Sequence, residues 1–222
     1  WYVYPLLGHQ KQFLDPARNP FFRHAEAQLW VARDGAGALV GRIAAAVDAV
    51  SNEYHREQVG YFGFYECGDD DAAAGALLAT ARAWIASRGM TVMRGPGCFT
   101  TNHDYLGLLV RGHESRPVVG MPWHPPYYER QLAAFGLAKA ADLWAWDVDR
   151  RDGRIPERIT RFAERVRARQ GFTIRPFRMR SFWQDVEIVR EIYHEAWHDN
   201  WGFVPMDEVE FRHAAKDMKG MV

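Results

Sequence analysis

Residues 59–65 read Val-Gly-Tyr-Phe-Gly-Phe-Tyr, and this run decides the fold together with the segment that follows it. Aromatic and β-branched residues favour a strand, and a glycine inside a strand often marks a bulge or the close approach of another group. A helix is predicted next, from about Asp70 to Arg88, and a further strand covers Thr91–Arg94. Strand, helix and strand in this order predict a parallel pair of strands at the centre of a sheet. The chain is therefore predicted to have an α/β fold.

Two more strands precede this unit, and a long loop follows it. Residues 28–32 and 39–47 are predicted strands. Residues 1–23 are rich in proline and aromatic residues and are predicted to be irregular or to form short extended segments. Residues 95–127 form a loop full of glycine, proline, histidine and aromatic residues. Loops of that length in compact domains are often functional. A short helix from Pro126 to Phe135 comes next.

The pattern then closes one unit and opens another. Residues 143–148 are predicted to form a closing strand, and Pro156 opens a helix that Gly171 ends. The apolar face of that helix is predicted to be buried; it consists of Ile159, Phe162, Ala163 and Val166. A strand over residues 172–176 follows. Ser181 and Gln184 have the spacing of a capping box at the start of a further helix, and a last helix covers about Met206 to Met218.

This order of elements resembles the GNAT (GCN5-related N-acetyltransferase) fold from Phe22 to Val148, and residues 127–137 are similar to the family's helix-to-strand passage. Residues 172–222 resemble the opening of a second such unit. The predicted organisation is thus a GNAT-like unit over residues 1–150, a linker helix over 151–171 and a truncated second unit over 172–222. We expect both ends to be cut from a longer protein.

The resemblance implies a site for acetyl-CoA or another acyl-CoA. In that family a bulged strand pairs with pantetheine, which places Tyr61, Phe62 and Gly63 beside the cofactor, and the amides after that strand hold the pyrophosphate, near Gly68. Here, however, residues 66–72 read Glu-Cys-Gly-Asp-Asp-Asp-Ala in place of the family's Q/R-x-x-G-x-G/A loop. Three carboxylates satisfy a helix N-terminus themselves, and each repels a diphosphate by about 1 kcal/mol even in water. We therefore expect the first unit to be a scaffold or acceptor-binding half, with acyl-CoA bound by the second.

Several residues are candidates for the chemistry. A catalytic base could come from His103 with Asp104, for which the alternative is an Asx turn with an exposed histidine. It could also come from Glu66 at the end of the central strand, for which the alternative is a negative charge that stabilises the N-terminus of the next helix. The candidates for binding the acceptor are Asn102, Tyr127, Tyr128, Trp197 and Trp201, and ordinary packing is the alternative interpretation of these residues. A tyrosine serves as acid in many GNAT enzymes, but Leu132 stands at that position here.

One motif favours a different class of enzyme. His194 and His198 flank Glu195 in an H-E-x-x-H pattern, which on a helix places two possible zinc ligands one turn apart. Trp201 and Pro205 stand where the extended motif needs glycine and histidine. No metal is therefore expected, and a zinc-dependent hydrolase remains an alternative.

The composition of the chain indicates which classes of partner and which compartment to expect. The 222 residues contain 28 basic and 28 acidic side chains and two cysteines, so we expect no nucleic-acid or membrane partner and a reducing, cytoplasmic location. Residues 150–180 contain eleven arginines and three acidic residues, and we expect this segment to be a solvated linker. The predicted function is acyl-CoA-dependent N-acylation of a small-molecule or peptide amine in the full-length protein; a non-catalytic GNAT-like binding module is a further alternative.

Overall fold

A computed structural model describes residues 6–146 and 155–219. Its sheet has four strands in the order β1 (Ala25–Arg33), β2 (Leu39–Asp48), β3 (Val59–Cys67) and β4 (Val92–Arg94). The first three strands are antiparallel, and β3 and β4 are parallel. The α/β class and the parallel pairing predicted from the sequence are confirmed, but β4 lies at the edge of the described sheet and not at its centre.

Helices flank this sheet and form the C-terminal part of the described chain. They are α1 (Leu7–Phe13), α2 (Ala49–His55), α3 (Asp71–Ser87), α4 (Tyr127–Ala134), α5 (Glu157–Gln170), α6 (Phe182–Trp197) and α7 (Glu208–Met218), with 3-10 turns at Pro20–Arg23 and Met179–Ser181. The sequence did not predict α1 or α2. No helix within the described ranges combines the length and the apolar character that crossing a bilayer requires.

The main core lies between the sheet and α3. Phe62 of β3 and Ile43 of β2 are almost fully buried against Leu78 and Ile85 of α3. Gly60 permits this packing, because a Cβ there would lie 2.5 Å from the Ile85 side chain. The helix approaches closely enough to exclude water from the centre of the unit.

A second core is aromatic and forms around the start of the long loop. Phe99, which is 1% exposed, stacks on Phe13 and Phe21 with ring centroids 5.2 Å apart in both pairs. Phe64 of β3 completes the cluster. Its N-terminal partners explain why α1 forms, since Phe13 at its last turn has an apolar surface to cover.

The C-terminal helices contact the N-terminal part through polar bonds. Arg23 pairs with Asp207 at 2.7 Å, Tyr54 Oη donates to the His198 carbonyl at 3.1 Å, and His55 bonds the Phe203 carbonyl at 2.7 Å. Asp207 also caps α7 in a capping box with Glu210. The start of α7 is thereby held beside the 3-10 turn that precedes β1.

Four sequence-based expectations are wrong in detail. Residues 143–146 and 172–176 form no strand, because within the described ranges no neighbouring strand pairs with them. The apolar face of α5 is exposed rather than buried: 50% of Ile159 and 62% of Phe162 are accessible. Ser181 makes no capping bond, and its hydroxyl instead contacts Asp185. Residues 147 and 148 lie outside the described residues.

Candidate functional site

The long loop starts by pairing with β3 at the positions that the sequence assigns to pantetheine. The Gly97 amide donates to the Phe62 carbonyl at 2.9 Å, and a Cβ on Gly63 would lie 1.7 Å from the Gly97 carbonyl oxygen. Tyr61, one position earlier, is buried and stands opposite Arg94 of β4. The backbone edge of Phe62 and Gly63 is thus occupied by the chain itself.

The turn after β3 is fastened by α4. Tyr127 Oη donates to the Cys67 carbonyl at 3.0 Å, and the Cys67 amide donates to Tyr128 Oη at 2.9 Å. Gln131 Nε2 donates to the Gly68 carbonyl at 2.8 Å. Burial raises the pKa of Tyr128 to about 12, so its hydroxyl stays protonated. Both tyrosines therefore hold the turn after β3 in place through hydrogen bonds to Cys67.

Carboxylates of the chain itself surround the N-terminus of α3. Asp70 accepts hydrogen bonds from the amides of Ala72 and Ala73 at 2.9 and 3.1 Å, which satisfies two of the unpaired donors of the helix. The Arg130 guanidinium binds both Asp69 and Asp71. Residues 68–71, expected to hold a pyrophosphate by resemblance, therefore present carboxylates and engaged amides.

A polar cluster lies under the loop, next to this turn, and consists of Arg42, Glu66, His113 and His124. Arg42 Nη2 donates to Glu66 at 2.6 Å, and His124 Nδ1 accepts from the Leu109 amide at 3.1 Å. Burial lowers the pKa of His124 to about 4, while Glu66 opposes that shift. Arg42 Nε and His113 Nε2 are buried and make no hydrogen bond to the described residues. Buried polar atoms without a partner are uncommon and are one mark of a site that takes a polar ligand.

His103 and Asp104 are not brought together. His103 Nδ1 bonds Thr100 Oγ1 at 3.1 Å, and its ring packs edge-on against Phe13 and Phe21. Burial lowers the pKa of His103 to about 4, so it is neutral near pH 7. Asp104 is exposed and faces Gly120 instead. The expected His–Asp pair is therefore absent from the geometry of the described loop.

The third loop candidate, Asn102, connects the two parts of the chain. Its Nδ2 donates to the Val204 carbonyl at 2.9 Å, and Thr101 Oγ1 donates to the Gly202 carbonyl. Trp201 lies beside this contact, under the guanidinium of Arg94 at 5.7 Å. Trp197 stacks on Tyr193 and is half exposed. The two tryptophans thus border the joint between the loop and the C-terminal helices.

A histidine that the sequence did not single out stands at the same joint. His24 Nδ1 lies 2.9 Å from Asp48, and its Nε2 lies 2.9 Å from Glu210 of α7. Two carboxylate acceptors require both ring nitrogens to donate, and these bonds raise the pKa of His24 to about 10. Asp48 is the N-cap of α2, a helix that the sequence did not predict, and 186 positions separate His24 from Glu210 with no local signal to link them.

The H-E-x-x-H residues have structural partners. His194 packs against Phe203 and Phe211, while His198 bonds the Glu195 carbonyl at 2.9 Å and Asp199 at 3.3 Å. Within residues 6–146 and 155–219, leaving aside the side chain of Asp217, no group of three side chains is arranged to hold a metal ion.

Comparison with known proteins gives two curated relatives. The chain is 34% identical over 221 residues to protein YghO of Escherichia coli and 37% identical over 222 residues to bacterial ceramide synthase of Caulobacter vibrioides. Both matches cover the whole chain, which spans 55% and 57% of the length of these relatives. No protein-family model matches the chain. No solved structure matches it either.

Proposed function

We propose that this chain is the N-terminal part of a tandem GNAT-type N-acyltransferase that joins an acyl group to the amine of a long-chain lipid base. The observation that carries the proposal is 37% identity, over all 222 residues, to a protein named bacterial ceramide synthase. A ceramide is the N-acyl derivative of a long-chain amino alcohol, so its synthesis requires an amide bond. The order of strands and helices around β3 and α3 supports the GNAT assignment.

In this proposal the described unit does not hold the acyl-CoA. Gly97 covers the edge of β3, and Asp70 with its neighbouring carboxylates fills the start of α3. An added diphosphate would have to displace the Asp70 cap and approach two further carboxylates, which is electrostatically unfavourable. The acyl-CoA site is therefore assigned to the part of the full-length protein beyond this chain.

The acceptor half would use the polar cluster under the loop. An amine acceptor reaches an enzyme mainly as an ammonium ion, and Glu66 provides a carboxylate beside Arg42 that can orient it. His124 accepts a backbone hydrogen bond at Nδ1, so its Nε2 carries the proton and can donate to a hydroxyl of the acceptor. The cluster thus matches a head group that bears both an amine and a hydroxyl.

The reaction then needs positioning more than covalent catalysis. The ammonium ion first releases one proton to water. The neutral amine then attacks the thioester carbon, the carbon–sulfur bond breaks, and the second proton passes from the nitrogen through water to the CoA thiolate, which leaves as the thiol. Holding the amine near the thioester supplies a large part of the rate, because oriented reactants reach high effective molarity. No nucleophile within this chain is required.

The test uses the full-length protein with a long-chain acyl-CoA and a long-chain amino alcohol, and detects the amide by mass spectrometry and the released CoA by a thiol reagent. We expect both products in equal amounts. The Glu66→Gln variant should raise KM for the amine about tenfold and leave KM for acyl-CoA unchanged, as loss of one charge-assisted contact predicts. Binding of the amino alcohol without release of CoA would support a binding module instead.

A further inference from the structure

Helix α5 presents an apolar face that the rest of the described structure leaves uncovered. Ile159 and Phe162 are 50% and 62% exposed, and Val166 is only partly covered. None of the fourteen residues of α5 is buried. Exposed apolar side chains aligned on one helix face, unlike scattered ones, indicate an interaction surface.

The charges of α5 are arranged around that face. A helix turns by about 100° per residue, so Arg158, Arg165 and Arg169 line one edge of the apolar face and Arg167 lines the other edge. The acidic residues Glu157 and Glu164 lie on the opposite pole. Five arginines and two glutamates make the helix strongly basic, although the whole chain has no net charge.

The arginines at the edges have no acidic partner within residues 6–146 and 155–219. The ion pair that the structure describes inside α5 joins Arg161 to Glu157 at 3.5 Å, and it lies on the pole that faces away from the apolar face. The edge arginines are therefore available to a partner that approaches the apolar face. Such a partner must offer an apolar interior and negative charges on both sides of it.

We propose that α5 lies flat on a bilayer that contains anionic phospholipids. Ile159, Phe162 and Val166 would enter the boundary between head groups and acyl chains, while the edge arginines extend along it to the phosphates. Each arginine near an anionic surface strengthens binding by several-fold. A lipid surface supplies apolar interior and flanking negative charge together, whereas a covering protein surface would need four suitably spaced carboxylates.

This inference extends the proposed function, because an enzyme that acylates a lipid base gains access to its acceptor at a membrane. The sequence-based expectation of no membrane partner rests on the balanced charge of the whole chain, and no helix of the described residues is long and apolar enough to span a bilayer. Neither criterion applies to a helix that lies in the interface, since its binding depends on local charge and on one exposed face.

The experiment is co-sedimentation of the full-length protein with vesicles of phosphatidylcholine alone or mixed with phosphatidylglycerol. We expect binding to the mixed vesicles that weakens with added salt. Arg165→Glu should reduce the affinity about tenfold and Phe162→Glu should abolish binding. Arg161→Glu makes the same charge change on the opposite pole of the same helix, and it should change the affinity by less than about threefold.

A spin label gives the orientation of the helix directly. Cys67 and Cys98 are buried, so a cysteine introduced as Phe162→Cys or Arg161→Cys is the accessible thiol among the described residues. On mixed vesicles the label at position 162 should meet dissolved oxygen more often than a water-soluble nickel chelate, and the label at position 161 should show the reverse.

Three results would overturn the proposal. The full-length protein could fail to bind mixed vesicles, which would mean that its remaining residues cover the face. Arg161→Glu and Arg165→Glu could weaken binding equally while Phe162→Glu has no effect, which would indicate unspecific attraction. The label at position 162 could stay accessible to the nickel chelate. Acyl transfer to an amino alcohol dispersed in detergent is measured on the same variants and should persist, which separates this proposal from the proposed function.

Discussion

At the scale of single residues, the ionisation of His24 couples the stability of the fold to pH. Its pKa is about 10 in the folded chain and 6.5 in an unfolded one, so folding favours the proton. The stabilisation is full below pH 6.5 and is lost as pH rises towards 10. We expect His24→Asn to lower the free energy of unfolding by about 2 kcal/mol at pH 6, since Asp48 and Glu210 lose their shared donor. Urea titrations should show this difference shrinking by pH 10; a constant difference would contradict the ionic role.

Gly63 allows a second test at the same scale. A methyl group there would overlap the Gly97 carbonyl, so Gly63→Ala should push the loop away from β3 and destabilise the protein by about 3 kcal/mol. Gly75, in the middle of α3, has open space around its Cα. Gly75→Ala should therefore stabilise by about 0.5–1 kcal/mol, as helix propensity predicts. Equal effects of the two substitutions on the thermal midpoint would show that the loop does not pack on β3 in solution.

At the scale of secondary-structure elements, the start of α3 decides whether this unit can hold a diphosphate. Asp70→Ala removes the helix cap and should cost about 1 kcal/mol of stability. If acyl-CoA binds elsewhere in the full-length protein, this change leaves KM for acyl-CoA within about twofold, because no phosphate gains the freed amides. Asp69→Asn, which removes a neighbouring charge but keeps the cap, is the matched control. A marked fall in KM for acyl-CoA with either variant would place the cofactor here.

The secondary-structure elements also show which features of the fold could be predicted from the sequence alone. The strand predicted over residues 59–65, which the structure extends to Cys67, and the helix after it were predictable, since their apolar patterns are local and Asp70 and Gly89 mark the helix ends. The exposure of Phe162 and the absence of a strand at residues 172–176 could not be predicted, because burial and strand pairing depend on distant neighbours. Glu66 was recognised from its place at the end of a strand, and its pairing with Arg42 follows from the register of β2 and β3. Its proximity to His124 could not be predicted, because it depends on how the long loop folds back.

At the scale of the whole molecule, the long loop holds the N-terminal unit and the C-terminal helices together. Asn102 bonds the Val204 carbonyl and Thr101 bonds the Gly202 carbonyl, so one short segment of the loop contacts one short segment after α6. Asn102→Ala leaves a buried carbonyl unpaired and should cost about 1–2 kcal/mol. Because the two segments support each other, hydrogen exchange should rise together in residues 99–105 and 202–204 while β2 and β3 stay protected. Gln131→Ala, which breaks side-chain bonds to the Gly68 carbonyl and to Tyr65 at the turn after β3, is the matched control and should leave residues 202–204 unchanged. Faster exchange in the loop alone would mean that the C-terminal helices are held by His24 and Arg23 without it.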